Sequence, residues 1–336
     1  MEKCQCNSPG FCNFFNQAMN EKSWGWCQNA SPEARDKYKH ACDKKHALIN
    51  SHAKGRFITI PDLVDDCRNS LVPKLHELGV VGVAGVPRSG YVPAGVCATS
   101  LNIPIYNIIG DKLELATAAS KFGGYRMRDH NVADGKIAII DDTVFSGESI
   151  RGIKAQLGTG YIYGAVYVQP SSINEVDIAG MKLENPHILD WHFFNSEYVE
   201  RCLFDFDGIF CPDSNRVFNT EKERVEYLST VQPIYHRLPV THYCQGIVTA
   251  RLEKDRGLTE EWLDRYGVKY KSLTMYPTED AHIRDANHIA QASRYKAEFY
   301  EKSSAMFFVE SSPAEANLIR KATQKIVICP EQGGFE

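Results

Sequence analysis

Between Gly55 and Phe194, short apolar runs alternate with longer segments of helical periodicity. The apolar residues from Pro61 to Leu78 recur at spacings of one, three and four, as they do on one face of an amphipathic helix. Strands are predicted for RFITI (56–60), VVGVAGV (80–86), IPIYNII (103–109), KIAII (136–140), YIYGAVYV (161–168) and HILDWHFF (187–194). Strands that alternate with helices in this way predict a parallel sheet covered by helices on both faces.

The same alternation starts again near Tyr198. Further strands are predicted for CLFDFDG (202–208), QGIVTA (245–250), AMFFVE (305–310) and KIVICP (325–330). We therefore predict an α/β chain of two Rossmann-like parallel-sheet domains, 51–196 and 197–336, after a small cysteine-rich segment, 1–50. The length of 336 residues agrees with this division, because it exceeds what one hydrophobic core usually serves.

Composition narrows the functional classes. Apolar residues make up 43% of the chain and charged residues 24%, as in an ordinary globular protein. The net charge of −4 and the lack of a long basic run argue against nucleic acid or a membrane surface as the partner. The N-terminus MEKCQCNSPG is polar, and no apolar run is long enough to span a bilayer. These features predict a cytoplasmic protein.

The segment KIAIIDDTVFSGESI (136–150) raises a question of charge, because Asp141 and Asp142 stand side by side where the predicted strand ends. Ligands of open parallel sheets bind outside the carboxyl ends of the strands. The hydroxyls and amides that follow, from Thr143 to Ser149, lead into a predicted helix N-terminus, which favours anions. Carboxylates that accept from sugar hydroxyls, next to a phosphate cradle, predict a site for ribose 5-phosphate.

The stretch IAIIDDTVFSGES resembles the phosphoribosyl pyrophosphate (PRPP) motif of the type I phosphoribosyltransferases. The alternative is a generic nucleotide-binding βαβ turn with an accidental pair of acids. The resemblance implies that PRPP contacts Asp141, Asp142, Thr143, Val144, Phe145, Ser146, Gly147, Glu148 and Ser149. VAGVPRSG (83–90) is similar to the diphosphate loop of that family, which implies that Arg88, Ser89, Gly90 and nearby amides hold the leaving diphosphate.

The polar segment from Gly110 to Gly135 looks like the mobile catalytic loop of the same family. The resemblance implies that its basic residues close over PRPP; these are Lys121, Arg126, Arg128 and His130. The implied reaction is displacement at the ribose anomeric carbon, with Mg²⁺ carried largely by PRPP. Residues 57–62 and the stretch after Gln169 would contact the base, and a homodimer through this domain is expected.

CLFDFDGIFCPD (202–213) resembles the first motif of the haloacid dehalogenase (HAD) superfamily. The resemblance implies that Asp205 attacks phosphorus, and that Asp207 protonates the leaving oxygen and later activates water. Thr249, Lys296 and Glu310 follow in the order of the family's remaining motifs. Taken alone, the acid pair could also be a surface loop or a calcium-type ligand.

The resemblance implies a Mg²⁺ site of Asp205, the Asp207 carbonyl and Glu310. Ser311 and Ser312 stand where the family commonly has a second acid, which predicts a lower metal affinity and a weaker phosphatase activity than the family pattern implies. Glu315 is expected on the exposed surface of a helix. The excursion from Pro212 to Gly246 is too short for a large cap domain, so it leaves room for larger substrates.

The N-terminal cysteines predict a metal site, because thiolate clusters in a reducing compartment bind metal more often than they form disulfides. The predicted ligands of zinc, or of an iron–sulfur cluster, are Cys6, Cys12, Cys27 and Cys42. The alternative is a small aromatic-rich lid of reduced cysteines packed under aromatic side chains. Cys67, Cys97, Cys202 and Cys244 are expected to be core residues.

Together these features predict a bifunctional enzyme of nucleotide metabolism whose partners are small molecules. It would join a nucleobase-like acceptor to ribose 5-phosphate from PRPP and hydrolyse a phosphomonoester through an aspartyl-phosphate. Three alternatives stay open: a first domain that works in the reverse direction or on another ribosyl 5-phosphate, a PRPP-sensing module that regulates a HAD phosphatase, and a nucleic-acid end-processing phosphatase.

Overall fold

The computed structural model describes residues 55–116, 135–214, 218 and 220–335, and the backbone of 11–12 and 17–18. For residues 283, 284, 286 and 335 it describes the backbone alone. The strands are β1 Phe11–Cys12, β2 Gln17–Ala18, β3 Gly55–Ile58, β4 Val80–Gly85, β5 Ile105–Ile109, β6 Lys112–Leu115, β7 Lys136–Val144, β8 Ile162–Val168, β9 Ile178–Lys182, β10 His187–Leu189, β11 Cys202–Phe204, β12 Gly246–Leu252, β13 Leu273–Tyr276, β14 Phe307–Val309, β15 Ile326–Cys329 and β16 Gly334–Phe335.

The α-helices are α1 Ile60–Asp66, α2 Val72–Glu77, α3 Tyr91–Leu101, α4 Glu148–Leu157, α5 Asp190–Phe193, α6 Glu221–Thr230, α7 Arg256–Arg265, α8 Ala281–Ala286, α9 His288–Lys302 and α10 Pro313–Thr323. The described chain forms two compact units. The central unit is Ile58–Trp191, and the terminal unit combines Met1–Phe57 with His192–Glu336. None of the described helices is long and apolar enough to cross a membrane.

The central unit contains a six-stranded sheet in the order β6-β5-β4-β7-β8-β9. All neighbours are parallel except β5 and β6, which form an antiparallel hairpin. The chain passes from β4 outward to β5 and then returns to the other side of β4 to form β7. This reversal makes the carboxyl ends of β4 and β7 a topological switch point, where open α/β sheets bind their ligands.

A nearly continuous helical run covers this sheet, as the apolar periodicity predicts. Thr59 caps its start, since the Thr59 side chain accepts from the Asp62 amide while the Asp62 carboxylate accepts from the Thr59 amide at 2.8 Å. A single π-helical segment, Cys67–Leu71, joins α1 to α2. Cys67 and Cys97 are fully buried in the core beneath it, with their sulfur atoms 3.6 Å apart. Cys202 and Cys244 are also buried, in the terminal unit.

The strands of the terminal unit follow the order β3-β16-β15-β14-β11-β12-β13. The five strands from β15 to β13 are parallel, with β11 at the centre. Because β12 and β13 lie on one side of β11 and β14 on the other, the carboxyl ends of β11 and β14 form a second switch point. Asp205 follows β11 and Glu310 follows β14, so the topology brings these two predicted acids to one edge.

Two predicted strands differ from the structure. RFITI is predicted to open the first domain, but β3 pairs antiparallel with β16, with Arg56 opposite Gly334. Periodicity indicates that a segment is a strand without indicating its partner. HILDWHFF is predicted as one strand, but β10 covers only its first three residues and α5 follows.

Candidate active sites

Strand β7 does not end at the acidic pair, contrary to the prediction. It continues through Thr143, which pairs with Tyr167, and Val144, which pairs with Val168. Asp141 and Asp142 therefore lie inside the paired strand, beside β4 at the switch point. An acidic pair in this position must be compensated within the sheet.

Protonation relieves the repulsion between the two acids. Both side chains are buried, Asp142 to 2% relative exposure, and the Asp142 amide donates to Asp141 Oδ1 at 2.9 Å. Burial, followed by the hydrogen bond with Asp142, raises the pKa of Asp141 to about 8. At neutral pH the pair therefore holds a proton and carries less charge than two free carboxylates, which explains how a buried strand accommodates it.

The loop after β4, predicted to hold diphosphate, contacts the acidic pair. Ser89 Oγ donates to Asp142 Oδ1 at 2.9 Å, and the peptide bond between Pro87 and Arg88 is cis. Gly90 permits the close approach, because a Cβ there would lie 2.5 Å from the Val86 carbonyl oxygen and 2.6 Å from that of Ile140. The Arg88 side chain is exposed beside this junction.

The residues after β7 form the predicted turn into a helix. Phe145–Gly147 bends the chain, and α4 begins at Glu148, whose amide donates to Ser146 Oγ at 3.4 Å. Gly147 adopts a φ of 76°, a left-handed conformation that favours glycine. The Thr143 hydroxyl is buried and has no hydrogen-bond partner among the described residues. A ligand oxygen would satisfy it.

Trp191 also belongs to this site, although the sequence did not single it out. Its indole Nε1 donates to Asp142 Oδ2 at 2.7 Å. The stretch after Gln169 is predicted to contact the base, but no local pattern links Trp191 to an acid 49 residues earlier. Both oxygens of Asp142 therefore accept from side chains of other segments.

In the terminal unit, two of the predicted acids, Asp205 and Glu310, meet at Lys296, and Glu315 joins them there. The Lys296 ammonium lies 2.9 Å from Asp205, 2.7 Å from Glu310 and 2.8 Å from Glu315, and the lysine is 2% exposed. Although burial opposes the charge, these carboxylates raise the pKa of Lys296 well above its ordinary value. Burial in turn raises the pKa of each of the three acids.

The expectation that Glu315 lies on a helix surface is wrong. Its relative exposure is 7%, and its carboxylate accepts from Lys296. Ser312 caps α10 by accepting from the Glu315 amide, which sets Glu315 in the first turn. The buried Ile319 lies one turn further along, so Glu315 shares the inward face of the helix.

Asp207 is held by an arginine that the sequence reasoning missed. Arg251 donates to both oxygens of Asp207, at 2.8 and 2.6 Å, and its guanidinium stacks 3.8 Å from the centre of the Phe206 ring. Burial opposes ionisation, but Arg251 lowers the pKa of Asp207 below its ordinary value. The spacing in VTAR (248–251) indicates this placement, because Arg251 lies two residues after the buried Thr249 and side chains two apart on a strand share a face.

The three carboxylates around Lys296 have the oxygen donors of a divalent-cation site, although in this structure they bind the Lys296 ammonium. Among the described residues, no group of three or more histidine, cysteine, aspartate or glutamate side chains is arranged as a ready metal site. Nevertheless, Asp205, Glu310 and Glu315 offer only oxygen donors, which Mg²⁺ prefers. When all three are ionised they outnumber the single ammonium that they share, so the group has negative charge to spare for a cation.

Several predicted residues lie outside the described part of the chain. They are Lys121, Arg126, Arg128 and His130 of the predicted catalytic loop, and Cys6, Cys27 and Cys42 of the predicted metal site; of Cys12, only the backbone is described. Their roles stay predictions, as does the homodimer.

No protein-family model matches the chain, and no curated protein shows significant sequence similarity to it. The chain is similar to the solved structure of a purine phosphoribosyltransferase from Pyrococcus horikoshii, with 18% identity and a TM-score of 0.30 over 41% of this chain and 94% of that one. A Helicobacter pylori xanthine-guanine-hypoxanthine phosphoribosyltransferase matches at 14% identity and a TM-score of 0.28, over 41% of this chain and 92% of that one. An Aeropyrum pernix orotate phosphoribosyltransferase matches at 16% identity and a TM-score of 0.26, over 36% of this chain and 68% of that one. Identities and TM-scores this low carry no functional argument. The proposed function therefore rests on two groups of residues, the acids Asp141 and Asp142 in the central unit and the acids around Lys296 in the terminal unit.

Proposed function

We propose that the central unit binds PRPP and transfers its ribose 5-phosphate to a nucleobase-like acceptor, with release of diphosphate. The observation that carries this proposal is the 2.9 Å hydrogen bond from Ser89 Oγ to Asp142 Oδ1. It joins the loop that resembles the diphosphate loop to the acids that resemble the PRPP motif, across 53 residues of sequence. A ligand with a diphosphate on one side and sugar hydroxyls on the other would contact both.

Each part of PRPP has a chemically matched group in the central unit. Asp141 and Asp142 would accept from the sugar hydroxyls, and the turn at 145–149 would donate to the 5-phosphate at the α4 N-terminus. The unpartnered Thr143 hydroxyl is a further donor. Transfer breaks the anomeric C–O bond to diphosphate and forms a bond to the acceptor, so the chain needs to supply position and charge stabilisation rather than a nucleophile. Mg²⁺ carried by PRPP would offset the charge of the diphosphate.

We further propose that the terminal unit hydrolyses a phosphomonoester. The convergence of Asp205, Glu310 and Glu315 on Lys296 supports this function. An Asp205 oxygen would form a bond to phosphorus as the bond to the alcohol oxygen breaks, and water would then cleave the aspartyl-phosphate. Asp207, ionised beside Arg251, is suited to take the proton from that water. The sequence predicts that Asp207, if protonated before the first step, also gives its proton to the leaving oxygen, but the pKa that Arg251 lowers favours the base role.

Mg²⁺ would be held in the terminal unit by Asp205, Glu310, Glu315 and the Asp207 carbonyl. The Asp207 carbonyl oxygen already accepts from Ser311 Oγ at 3.2 Å. This contact ties the loop that follows Asp205 to the residue after Glu310. When bound, the ion would neutralise phosphoryl oxygens beside the nucleophile. In this proposal Glu315 would supply the second carboxylate in place of Ser311 and Ser312.

The two reactions form a sequence if the nucleotide made by transfer is the phosphomonoester that is hydrolysed. Removal of its phosphate would then draw a reversible transfer forward. The order of the two chemistries along one chain motivates this coupling, and the nucleic-acid alternative finds less support because the chain has no basic stripe.

A screen with labelled PRPP tests the proposal. The full chain is incubated with PRPP, Mg²⁺ and a panel of nucleobases, with and without the substitution Asp205→Asn, and products are separated by chromatography. We expect a nucleoside from the wild-type protein and the corresponding nucleotide from Asp205→Asn, for at least one base. Nucleotide that accumulates undephosphorylated with the wild-type protein would contradict the coupling. A phosphatase rate that responds to PRPP without any transfer would favour the sensing module.

A further inference from the structure

Asp142 is held in one orientation by two side-chain donors from separate segments. Ser89 Oγ, in the loop after β4, donates to Oδ1 at 2.9 Å, and Trp191 Nε1, in α5, donates to Oδ2 at 2.7 Å. The carboxylate itself is buried. Rotation of the carboxylate about its Cβ–Cγ bond would break both hydrogen bonds, so the directions of its remaining lone pairs are fixed.

The chemistry of a hydroxyl makes this contact informative about Ser89. A serine hydroxyl has a single hydrogen to donate, and the oxygens of a diphosphate are acceptors only. While Ser89 donates to Asp142 it cannot also donate to diphosphate. The resemblance implies that the Ser89 side chain holds the diphosphate, but its hydrogen bond to Asp142 competes with that role. Arg88 and the loop amides are then left to hold the diphosphate.

Trp191 is chemically suited to a permanent contact of this kind. An indole N–H is a donor that does not ionise at accessible pH, so the contact persists whatever proton the acidic pair holds. The Trp191 ring is partly buried against the core of the central unit, which limits its movement. A rigid donor on a carboxylate oxygen is a means of presenting the other lone pairs of that carboxylate to a ligand.

We propose that Ser89 and Trp191 are positioning residues for ribose recognition, which orient the Asp142 carboxylate toward a sugar hydroxyl. The inference rests on the proposed PRPP function of the central unit and specifies how the sugar is recognised. Neither side chain needs to touch the reacting atoms. Loss of either donor removes one of the two restraints on the orientation of the carboxylate, so the affinity for the sugar falls while the affinity for diphosphate is retained.

Calorimetric titration of the full chain with two separate probes tests this role. Ribose 5-phosphate reports on the sugar and inorganic diphosphate with Mg²⁺ reports on the loop. The variants are Ser89→Ala and Trp191→Phe, each of which removes one donor. Tyr167→Phe is the matched control, since it removes a 2.6 Å hydrogen bond from a buried side chain to the carboxylate of Asp66 in the same unit.

Each donor variant is expected to weaken ribose 5-phosphate binding about tenfold, the scale of one hydrogen bond to a charged acceptor. Diphosphate binding should stay within about twofold of wild type, a change of under half a kilocalorie per mole, and the control should change neither. If Ser89→Ala weakened the binding of diphosphate and left that of ribose 5-phosphate unchanged, Ser89 would be assigned to the diphosphate and its positioning role would be overturned. Unchanged ribose 5-phosphate binding in Trp191→Phe would overturn that of Trp191. A wild-type protein that binds neither probe would instead contradict the proposed function.

Discussion

The substitution Lys296→Met is expected to lower the free energy of unfolding by more than about 3 kcal/mol at pH 7, the usual cost of breaking a buried ion pair. Lys296 is the shared partner of Asp205, Glu310 and Glu315, at distances of 2.7 to 2.9 Å. Methionine would leave three buried carboxylates facing one another without the ammonium. Urea denaturation measures the loss.

The loss should depend on pH in a direction that follows from the acids. Burial already raises the pKa of Asp205, Glu310 and Glu315 in the folded state, and removal of Lys296 raises each further. Groups with a raised folded-state pKa stabilise the fold at low pH, and the stabilisation is lost as pH rises. The deficit of Lys296→Met should therefore shrink toward pH 4.5 and grow toward pH 8.

Lys302→Met is the control for this experiment, because Lys302 is exposed on the same helix, α9. It should change stability by no more than about 0.5 kcal/mol at any pH. A Lys296→Met variant as stable as wild type at pH 7 would mean that the three carboxylates do not depend on this lysine.

Asp205→Asn is expected to reduce phosphomonoester hydrolysis by more than about a thousandfold, because an amide cannot form the aspartyl-phosphate. The variant should remain folded. When all three acids around Lys296 are ionised, the group has excess negative charge, so loss of the Asp205 charge removes repulsion with Glu310. Residues retained for chemistry at the expense of stability behave in this way. Initial rates with p-nitrophenyl phosphate and Mg²⁺, together with thermal denaturation, measure both effects.

Asp264→Asn supplies the matched control, since Asp264 is exposed in the same unit and the substitution is chemically identical. Its rate should equal that of wild type. Hydrolysis by Asp205→Asn at a tenth of the wild-type rate or more would exclude Asp205 as the nucleophile and leave the terminal unit without its proposed mechanism.

Sequence pattern predicted the elements that frame the site, but not where the acidic strand ends. The apolar run of β4 and the glycine at the turn into α4 are both visible in the sequence. The end of β7 was misplaced because adjacent acids usually mark a solvated boundary. Here burial raises the pKa of Asp141 to about 8, and a partly neutral pair can remain inside a paired strand.

Long-range partners were the part that sequence could not supply. Nothing local relates Trp191 to Asp142, or β3 to β16, because pairing across the fold depends on how separate segments pack. Glu315 and Arg251 differ from these long-range partners, because the local spacing of each residue indicates that its side chain faces inward. Glu315 lies one helical turn before the buried Ile319, and Arg251 lies two residues after Thr249 on a strand. Helical and strand periodicity, applied to charged residues as well as apolar ones, would have found them.

The central claim is that Asp141 and Asp142 accept hydrogen bonds from the hydroxyls of a phosphorylated pentose, while the turn into α4 binds its phosphate. Calorimetry of the wild-type protein with ribose 5-phosphate and with 2-deoxyribose 5-phosphate tests it most directly, since the two ligands differ by one hydroxyl. We predict that ribose 5-phosphate binds at least about tenfold more tightly, and that Asp142→Asn abolishes the difference. Equal affinity of the wild-type protein for both ligands would contradict the claim.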